Sequence, residues 1–282
     1  MILETRFGLV PIEHERPEPL KFAWPLILLP ELFTGAIHLA LARGYFASLG
    51  WEVYTPDLRV ALQPRASARN SQAWGFAQLR AALLSVVEAL EREVILLGHG
   101  IGGLLAIDAA TDSQVKAAVA LAPMLPGIRS PLLAGLANLR ARRLGGKLKA
   151  PRGKVLMDLL ADADPFQRET LARSLVADDS RPPSDVVRGR YEFTGGIAAP
   201  RLIVSGDSDP FAPLEMTSAF AARLGVTLRV VRGRGHWLIG GRALERTVGE
   251  VQRFLVRSLG SDLLLLYSEQ WAAARDTDGE DK

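Results

Sequence analysis

The glycine-rich turn at residues 98–103 comes closest to a chemical site in residue type and spacing. A buried strand predicted at Val94–Leu97 runs directly into Gly98-His99-Gly100-Ile101-Gly102-Gly103, and a new helix is predicted at Leu104–Ala110. A strand, a tight turn between small residues and a helix form the context of a nucleophile elbow, in which the turn lifts one side chain above the sheet. The lifted position is Gly100, which has no oxygen to attack a substrate. Glycine adopts a strained turn at least cost, so we expect the turn to persist without its nucleophile.

The elements that must position this turn alternate between short apolar runs and helical patterns. That alternation predicts an α/β fold with a doubly wound, mostly parallel sheet and helices on both faces. The clearest helix is predicted between Ala73 and Arg92, where apolar residues recur at spacings of three and four. Gly225 is predicted to end the helix Leu214–Leu224, because glycine enters a left-handed cap freely. The other predicted elements are the strands Leu3–Phe7, Leu9–His14, Pro25–Leu29, Glu52–Thr55, Val115–Leu121, Arg201–Ser205 and Thr227–Val231, and the helix Arg242–Leu259.

The alternation stops between about residues 124 and 200, where we predict a helical, basic lid inserted into the core. Residues 1–123 and 201–260 are assigned to the core, and residues 261–282 to a C-terminal helix, beginning at Leu263, and a charged tail. Four leucines at near-helical spacing predict an amphipathic lid helix that roofs a pocket. They are Leu132, Leu133, Leu136 and Leu139.

Positive charge is concentrated in the predicted lid, which has eight basic residues and no acidic one between Pro126 and Met157. One interpretation is a solvated face that only aids solubility. The other is a surface for an acidic partner, which would be an acidic substrate tail, an acidic carrier protein or an anionic membrane surface. The sequence leaves both open.

Outside the predicted lid, the sequence resembles the α/β-hydrolase superfamily along nearly its whole length. The resemblance rests on the turn at residues 98–102 and on four further segments: Pro25 to Gly35, Tyr54 to Arg59, Ser205 to Pro210 and Gly233 to His236. It implies that Asp209 matches the family's catalytic acid and His236 its base, with Gly100 at the place of the serine nucleophile. Asp207, two residues from Asp209, is a weaker candidate for the acid.

Two features depart from the family's pattern. One is Gly100, and the other is Pro30-Glu31 where many members carry His-Gly. The run Glu31-Leu32-Phe33 is similar to a segment of the dienelactone hydrolase branch, in which the glutamate lies near the nucleophile. That resemblance implies that Glu31 points at the vacant place above Gly100. The backbone amides of Leu32 and Ile101 would still serve as oxyanion donors, because they need no side chain.

The loss of the nucleophile favours an enzyme of non-serine type, in which His236 and Asp209 transfer protons on a small carbonyl-containing substrate. The reaction would be that of a lyase, an isomerase, a cofactor-free oxygenase or a hydrolase that uses water directly. The alternatives are a binding or scaffold protein without turnover and a hydrolase engineered from serine to glycine at position 100, so whether the protein is an enzyme stays open. A serine esterase using Ser205 or Ser208 is less favoured, because both lie outside the turn.

Two further histidines lie near these segments. His99 is expected to be a buried, hydrogen-bonded residue at the junction of strand and helix. His38 is left without an assigned role, although a position at the start of a helix would allow it to approach the pocket.

Composition excludes several other classes. The chain has no cysteine, which rules out disulfides, thiolate metal sites and a cysteine nucleophile. We expect no cofactor, because no ribose-binding acid follows the next strand, and no metal site, because the four histidines are scattered. No nucleic-acid module and no apolar run of bilayer length is present. The residues from Met1 to Arg6 lack a secretory signal, which predicts a cytoplasmic protein.

Overall fold

An eight-stranded sheet forms the centre of the computed structural model, which describes residues 1–61, 75–128, 147–191 and 198–264. Its strands are β1 (Ile2–Thr5), β2 (Gly8–Glu15), β3 (Leu26–Leu29), β4 (Val53–Pro56), β5 (Val94–His99), β6 (Val115–Leu121), β9 (Arg201–Gly206) and β10 (Thr227–Val231). Their order is β1-β2-β4-β3-β5-β6-β9-β10. The pairs β1/β2 and β2/β4 are antiparallel and the others are parallel. The predicted mostly parallel α/β fold is therefore confirmed.

Helices pack against this sheet. They are α1 (Ala36–Ser48), α2 (Leu58–Ala61), α3 (Phe76–Ala89), α4 (Ile101–Ala109), α8 (Leu214–Leu224) and α9 (Leu244–Leu259). Helix α8 has the predicted bounds, and its C-cap Gly225 adopts φ 62° as expected of a left-handed cap. Helix α3 ends three residues before the predicted Arg92, because Glu91 turns the chain away with φ 52°.

The three strands at the middle of the sheet are buried on both faces. Every residue of β3, β4 and β5 is buried, as expected of parallel strands covered by helices on each side. Helix α9 contributes a single apolar face to this core at helical spacing. The buried residues of that face include Leu244, Val248, Val251 and Leu255.

Helix α4 begins at Ile101, three residues before the predicted Leu104. Gly102 and Gly103 are poor helix formers, which is why the pattern placed the start too late. Tertiary packing overrides this propensity, because the start of α4 lies against β5. A Cβ atom on Gly98 would lie 2.1 Å from the carbonyl oxygen of Gly102. Only glycine permits this approach, so strand and helix follow each other without a loop.

The chain between β6 and β9 leaves the sheet, and three short helices are described there. They are α5 (Gly153–Leu159), α6 (Pro165–Ser174) and α7 (Arg181–Val187), with a two-stranded ribbon of β7 (Lys147–Leu148) and β8 (Asp178–Asp179). We call residues 124–200 the insertion. The leucines of the predicted amphipathic helix and four of the eight basic residues, from Arg129 to Arg143, lie outside the described residues.

At the C-terminus, α9 passes into a short 3-10 helix at Gly260–Leu263. Leu263 is fully buried, and Leu264 forms an isolated bridge with Phe22. The predicted helix and tail from Leu263 to Lys282 lie almost entirely outside the described residues. Among the residues that are described, no helix has both the length and the apolarity needed to cross a membrane.

The register between β3 and β5 places two loops side by side. Leu29 of β3 pairs with Gly98 of β5 in parallel, so Glu31 and Gly100 each lie two residues beyond one paired position. From β3 the chain goes on to β4 on one side of the sheet, and from β5 to β6 on the other. Ligands of open α/β sheets bind at the carboxyl ends of strands where the order reverses in this way.

A buried carboxylate, Glu52, joins the start of β4 to two other elements. Its side chain is 3% exposed and accepts hydrogen bonds from Arg92 (2.7 Å), the Tyr54 hydroxyl (2.9 Å) and His14 (3.0 Å). Burial alone would raise the pKa of Glu52, but the hydrogen bonds from Arg92, His14 and Tyr54 hold it below its usual range.

We expect Glu52→Gln to lower the free energy of unfolding at neutral pH by about 2 kcal/mol, because buried donors lose a charged acceptor. The pKa of Glu52 is lower in the folded than in the unfolded protein. Its contribution is therefore present above the unfolded-state pKa and is lost as the pH falls through the folded-state pKa. Urea unfolding across this range should show the two proteins converging in acid. The exposed Glu93→Gln serves as a control, with an expected change under about 1 kcal/mol. A Glu52→Gln difference that does not vary with pH would contradict this account.

Candidate active site

Glu31, Asp209 and His236 lie together at the carboxyl ends of the parallel strands. His236 Nδ1 is 2.8 Å from Asp209 Oδ2, and His236 Nε2 is 3.2 Å from Glu31 Oε2. All three side chains are buried. The fold thus forms a carboxylate–imidazole–carboxylate array from three loops that are far apart in the sequence.

The acid of this array is Asp209 and not Asp207. In the loop after β9, Asp209 Oδ1 accepts hydrogen bonds from the amides of Phe211 (2.8 Å) and Ala212 (3.1 Å). These bonds fix the carboxylate so that Oδ2 faces His236. Asp207 is exposed and accepts a hydrogen bond from the amide of Gly233 instead.

Glu31 binds the two amides that the sequence assigned to an oxyanion hole. Its Oε1 atom accepts hydrogen bonds from the amides of Leu32 (2.6 Å) and Ile101 (3.3 Å). The two donors therefore converge on one point, as expected, but the group at that point is the protein's own carboxylate.

The same carboxylate fills the volume that a side chain at position 100 would need. Gly100 adopts φ 55° and ψ −117° between β5 and α4, so the tight turn is present. A Cβ atom built on Gly100 would lie 1.3 Å from Glu31 Oε2 and 1.9 Å from Glu31 Cδ. The sequence led us to expect Glu31 to point at a vacant place, and in the structure Glu31 occupies that place.

His99 adds a fourth polar side chain to the cluster. It is fully buried as expected, and its Nε2 atom lies 2.8 Å from the carbonyl oxygen of His236. A carbonyl oxygen only accepts, so Nε2 carries the proton and Nδ1 a lone pair. Nδ1 has no hydrogen-bond partner within the described residues and lies 3.8 Å from Glu31 Oε2. The expectation that His99 is hydrogen-bonded therefore holds for one ring nitrogen only.

The two histidines have opposite electrostatic environments. Burial works to lower the pKa of His236, yet the carboxylates of Asp209 and Glu31 raise it to about 10. Burial, together with the charge on His236, lowers the pKa of His99 to about 4. Burial would raise the pKa of Asp209, but His236 keeps it below its usual range. At neutral pH this corresponds to a charged His236 between two carboxylates, beside a neutral His99.

Three residues considered at the sequence level lie away from this array. His38 is buried, and it bonds to the amide of Gly35 and to the carbonyl of Leu171 in α6. Ser205 is fully buried and donates to the carbonyl of the next residue, while Ser208 is exposed. Neither serine lies at the turn.

Two carboxylates of the insertion, which the sequence reasoning missed, hold the loops of the array. Asp178 accepts a hydrogen bond from the amide of Phe33 (3.0 Å), in the loop of Glu31. Asp162 accepts one from the amide of Gly235 (2.7 Å), next to His236. The segment lacks regular periodicity, so no sequence signal separates these aspartates from solvent-exposed ones.

The comparison with protein families agrees with this architecture. A sequence model described as the alpha/beta hydrolase family matches residues 21–250. The chain belongs to the alpha/beta hydrolase family. None of the curated proteins matches the sequence.

Solved structures with the same fold include esterases and lipases. A monoacylglycerol lipase from Paleococcus ferrophilus is similar at 21% identity and TM-score 0.64, over 87% of this chain and 100% of the lipase. Naproxen esterase (carboxylesterase NP) from Bacillus subtilis is 20% identical with TM-score 0.63, over 90% of each chain. A thermophilic esterase from Thermogutta terrifontis is 16% identical with TM-score 0.62, over 92% of this chain and 98% of the esterase. At these identities the likeness establishes the fold alone.

Because Glu31 fills the space at position 100, we predict that a serine introduced there becomes reactive only when Glu31 is removed as well. Gly100→Ser alone should leave the protein inactive toward p-nitrophenyl esters and unlabelled by a fluorophosphonate, because the new side chain and Glu31 compete for one volume. The double variant Glu31→Ala/Gly100→Ser frees both the space and the two amides. We expect it to hydrolyse the esters at least about 100-fold faster than Gly100→Ser, the scale of an oxyanion donor, and to be labelled.

Glu31→Ala alone is the control for this pair of variants and should not be labelled, because it lacks a serine at the turn. Thermal unfolding of all four proteins separates misfolding from inactivity. Equal esterase activity in Gly100→Ser and the double variant would show that Glu31 does not hold this place.

Proposed function

We propose that the protein is a non-serine enzyme in which the Glu31–His236–Asp209 array transfers protons on a small carbonyl-containing substrate. The observation that carries the proposal is the position of the Glu31 carboxylate. It lies in the volume of the missing nucleophile, within hydrogen-bonding distance of both His236 and the amides of Leu32 and Ile101. An inherited but unused site would not need a second carboxylate there.

Among the reactions open to such an array, we favour direct hydrolysis by water. A carboxylate and an imidazole that share a hydrogen bond can accept a proton from water and deliver one to a leaving group. Asp209 orients the imidazole through Nδ1, so that Nε2 faces the reacting groups. The esterase and lipase names of the structural neighbours are compatible with a carbonyl substrate. The lyase, isomerase and oxygenase variants use the same proton transfers without the water.

The amides of Leu32 and Ile101 serve the substrate only after Glu31 has moved. Glu31 Oε1 now holds both donors, so a substrate carbonyl must displace this oxygen to bind there. The displaced carboxylate keeps its connection to the imidazole and gains access to a water molecule. We therefore propose that Glu31 acts as a placeholder for the oxyanion in the resting state and as a base during the reaction.

A binding or scaffold protein without turnover is the second candidate. The observation in its favour is that both oxyanion donors are already occupied and that Glu31 and His236 are almost completely buried. The third idea, a serine engineered to glycine, is compatible with the same contact, because a serine side chain at position 100 would meet only the flexible end of Glu31, which can move aside.

The proposals for the surroundings of the site rest on the sequence. We propose that the insertion at residues 124–200 acts as a lid and that its positive charge favours an acidic or acyl-chain-bearing substrate, an acidic carrier protein or an anionic surface. Lys147, Lys149, Arg152 and Lys154 are the described part of that charge. The cytoplasmic location, the resemblance of Glu31-Leu32-Phe33 to the dienelactone hydrolase branch and the domain bounds stay predictions.

The test is hydrolysis of a panel of small esters, lactones and thioesters in the presence of a fluorophosphonate. A non-serine enzyme should retain its activity, whereas His236→Ala and Glu31→Gln should each reduce kcat/KM by about 100-fold or more, the usual scale of a lost acid or base. Ser205→Ala is the matched control and should leave the rate unchanged. The binding protein would be favoured if the wild type turned over no compound of the panel and His236→Ala bound its ligand with unchanged affinity.

A single turnover in ¹⁸O-labelled water distinguishes direct attack from a covalent route through Glu31. With enzyme in excess, direct attack by water places the label in the product carboxylate. A Glu31-bound intermediate that is opened at its glutamyl carbon places the label in the protein first. Mass spectrometry of the product and of the peptide containing Glu31 reads both outcomes.

A further inference from the structure

We propose that Glu31, His99 and His236 together bind one divalent transition-metal ion, for which zinc is the best-matched probe. This inference goes beyond the proposed function, because a protein without turnover can hold the same ion. From the sequence we expected no metal site, because the four histidines are scattered along the chain. The fold brings two of them and one carboxylate to a single point.

The three candidate ligand atoms have the separations of a compact metal site. Glu31 Oε2 lies 3.2 Å from His236 Nε2 and 3.8 Å from His99 Nδ1, and all three atoms lie within 4.8 Å of one another. A tetrahedral zinc ion with bonds of about 2.0–2.1 Å separates its ligand atoms by about 3.3 Å. The separation between Glu31 and His236 already matches this value, and the two separations that involve His99 would have to contract by up to about 1.5 Å.

The unpartnered Nδ1 atom of His99 is the feature that points to a bound cation. It is buried, carries a lone pair and faces a carboxylate oxygen, with no hydrogen-bond partner within the described residues. Within the described residues, Oε2 of Glu31 receives a hydrogen bond from His236, whereas Nδ1 of His99 receives none, which is unfavourable for a buried acceptor. A metal ion placed among His99 Nδ1, Glu31 Oε2 and His236 Nε2 would give each of them a partner.

Each proposed ligand is also oriented by a hydrogen bond to its other polar atom, as is usual for metal ligands in proteins. Asp209 lies 2.8 Å from Nδ1 of His236, which leaves Nε2 for the ion. The carbonyl oxygen of His236 accepts from Nε2 of His99, which leaves Nδ1. The amides of Leu32 and Ile101 bind Oε1 of Glu31, which leaves Oε2. The three remaining ligand atoms face one another: Nε2 of His236 and Oε2 of Glu31 share a hydrogen bond, and Nδ1 of His99 has no partner within the described residues.

The ligand set resembles a catalytic site more than a structural one. Two imidazoles and one carboxylate suit zinc, and three protein ligands leave one tetrahedral position for water or substrate. Gly100 adds no side chain that could close this position.

The experiment uses the full chain without a histidine tag, first freed of metal with a chelator. Co²⁺ is titrated while its visible absorption is recorded, and Zn²⁺ is then added to displace it. We expect one ion per chain and the intense bands of low-coordinate cobalt, which disappear with zinc. Zinc should also raise the Tm, because a ligand of the folded state stabilises it. No saturable uptake in the micromolar range would overturn the proposal.

His99→Gln is the decisive variant. The glutamine amide can still donate to the carbonyl of His236, while the ligand atom Nδ1 is lost. We expect the affinity for zinc to fall by at least about 100-fold, and by about 10- to 100-fold in Asp209→Asn, which removes only the outer partner. His14→Gln is the matched control, because His14 also lies beside a buried glutamate, Glu52, and it should bind zinc like the wild type. Unchanged affinity in His99→Gln, or a loss in His14→Gln, would overturn the assignment.

The metal readouts separate this inference from the proposed function. Fluorophosphonate-resistant hydrolysis by a protein that binds no zinc would leave the non-serine enzyme standing and overturn the metal site. Stoichiometric zinc binding without turnover on any substrate would support the metal site and count against the enzyme. Thermal unfolding of metal-free His99→Gln shows whether the variant folds, so that a lost ion is not mistaken for a lost fold.

Discussion

The carboxylate of Glu31 occupies a volume that exists only because residue 100 has no side chain. Its two oxygens have different partners, since Oε1 meets the amides of Leu32 and Ile101 and Oε2 meets His236. A buried charge is tolerated only when it is paired and hydrogen-bonded, and Glu31 meets both conditions. A side chain at position 100 would displace the carboxylate, and the amides and the imidazole would then lose their common partner.

Much of this arrangement could be predicted from the sequence. The strand–turn–helix pattern located the turn at Gly100, and the family resemblance indicated Asp209 and His236, which lie 2.8 Å apart in the structure. The contact of Glu31 with the turn follows from a parallel register that no local pattern reveals. The unpartnered nitrogen of His99 depends on a hydrogen bond to the backbone of His236, far along the chain, so residue types alone could not indicate it. The start of α4 was misplaced because packing against β5 outweighs the low helix propensity of its glycines.

Family membership and site chemistry lead to different conclusions in this protein. The fold is shared with esterases and lipases, but at these identities it does not assign their reaction. The array contains an imidazole oriented by Asp209 and two amides that bind a carboxylate, and Gly100 at the turn carries no oxygen. The proton transfer and the metal binding that we propose both use these groups. Proton binding and metal binding exclude each other at Nε2 of His236, because a proton and a metal ion compete for its lone pair.

The insertion is attached to the site through two aspartates, one on each side of the array. Asp178 holds the loop of Glu31 and Asp162 holds the loop of His236. A segment fixed in this way cannot swing outward as a rigid cover without releasing the backbone that carries both groups. The position of the insertion and the geometry of the array are therefore coupled, and a mutation in the insertion far from Glu31 and His236 can change the distance between them.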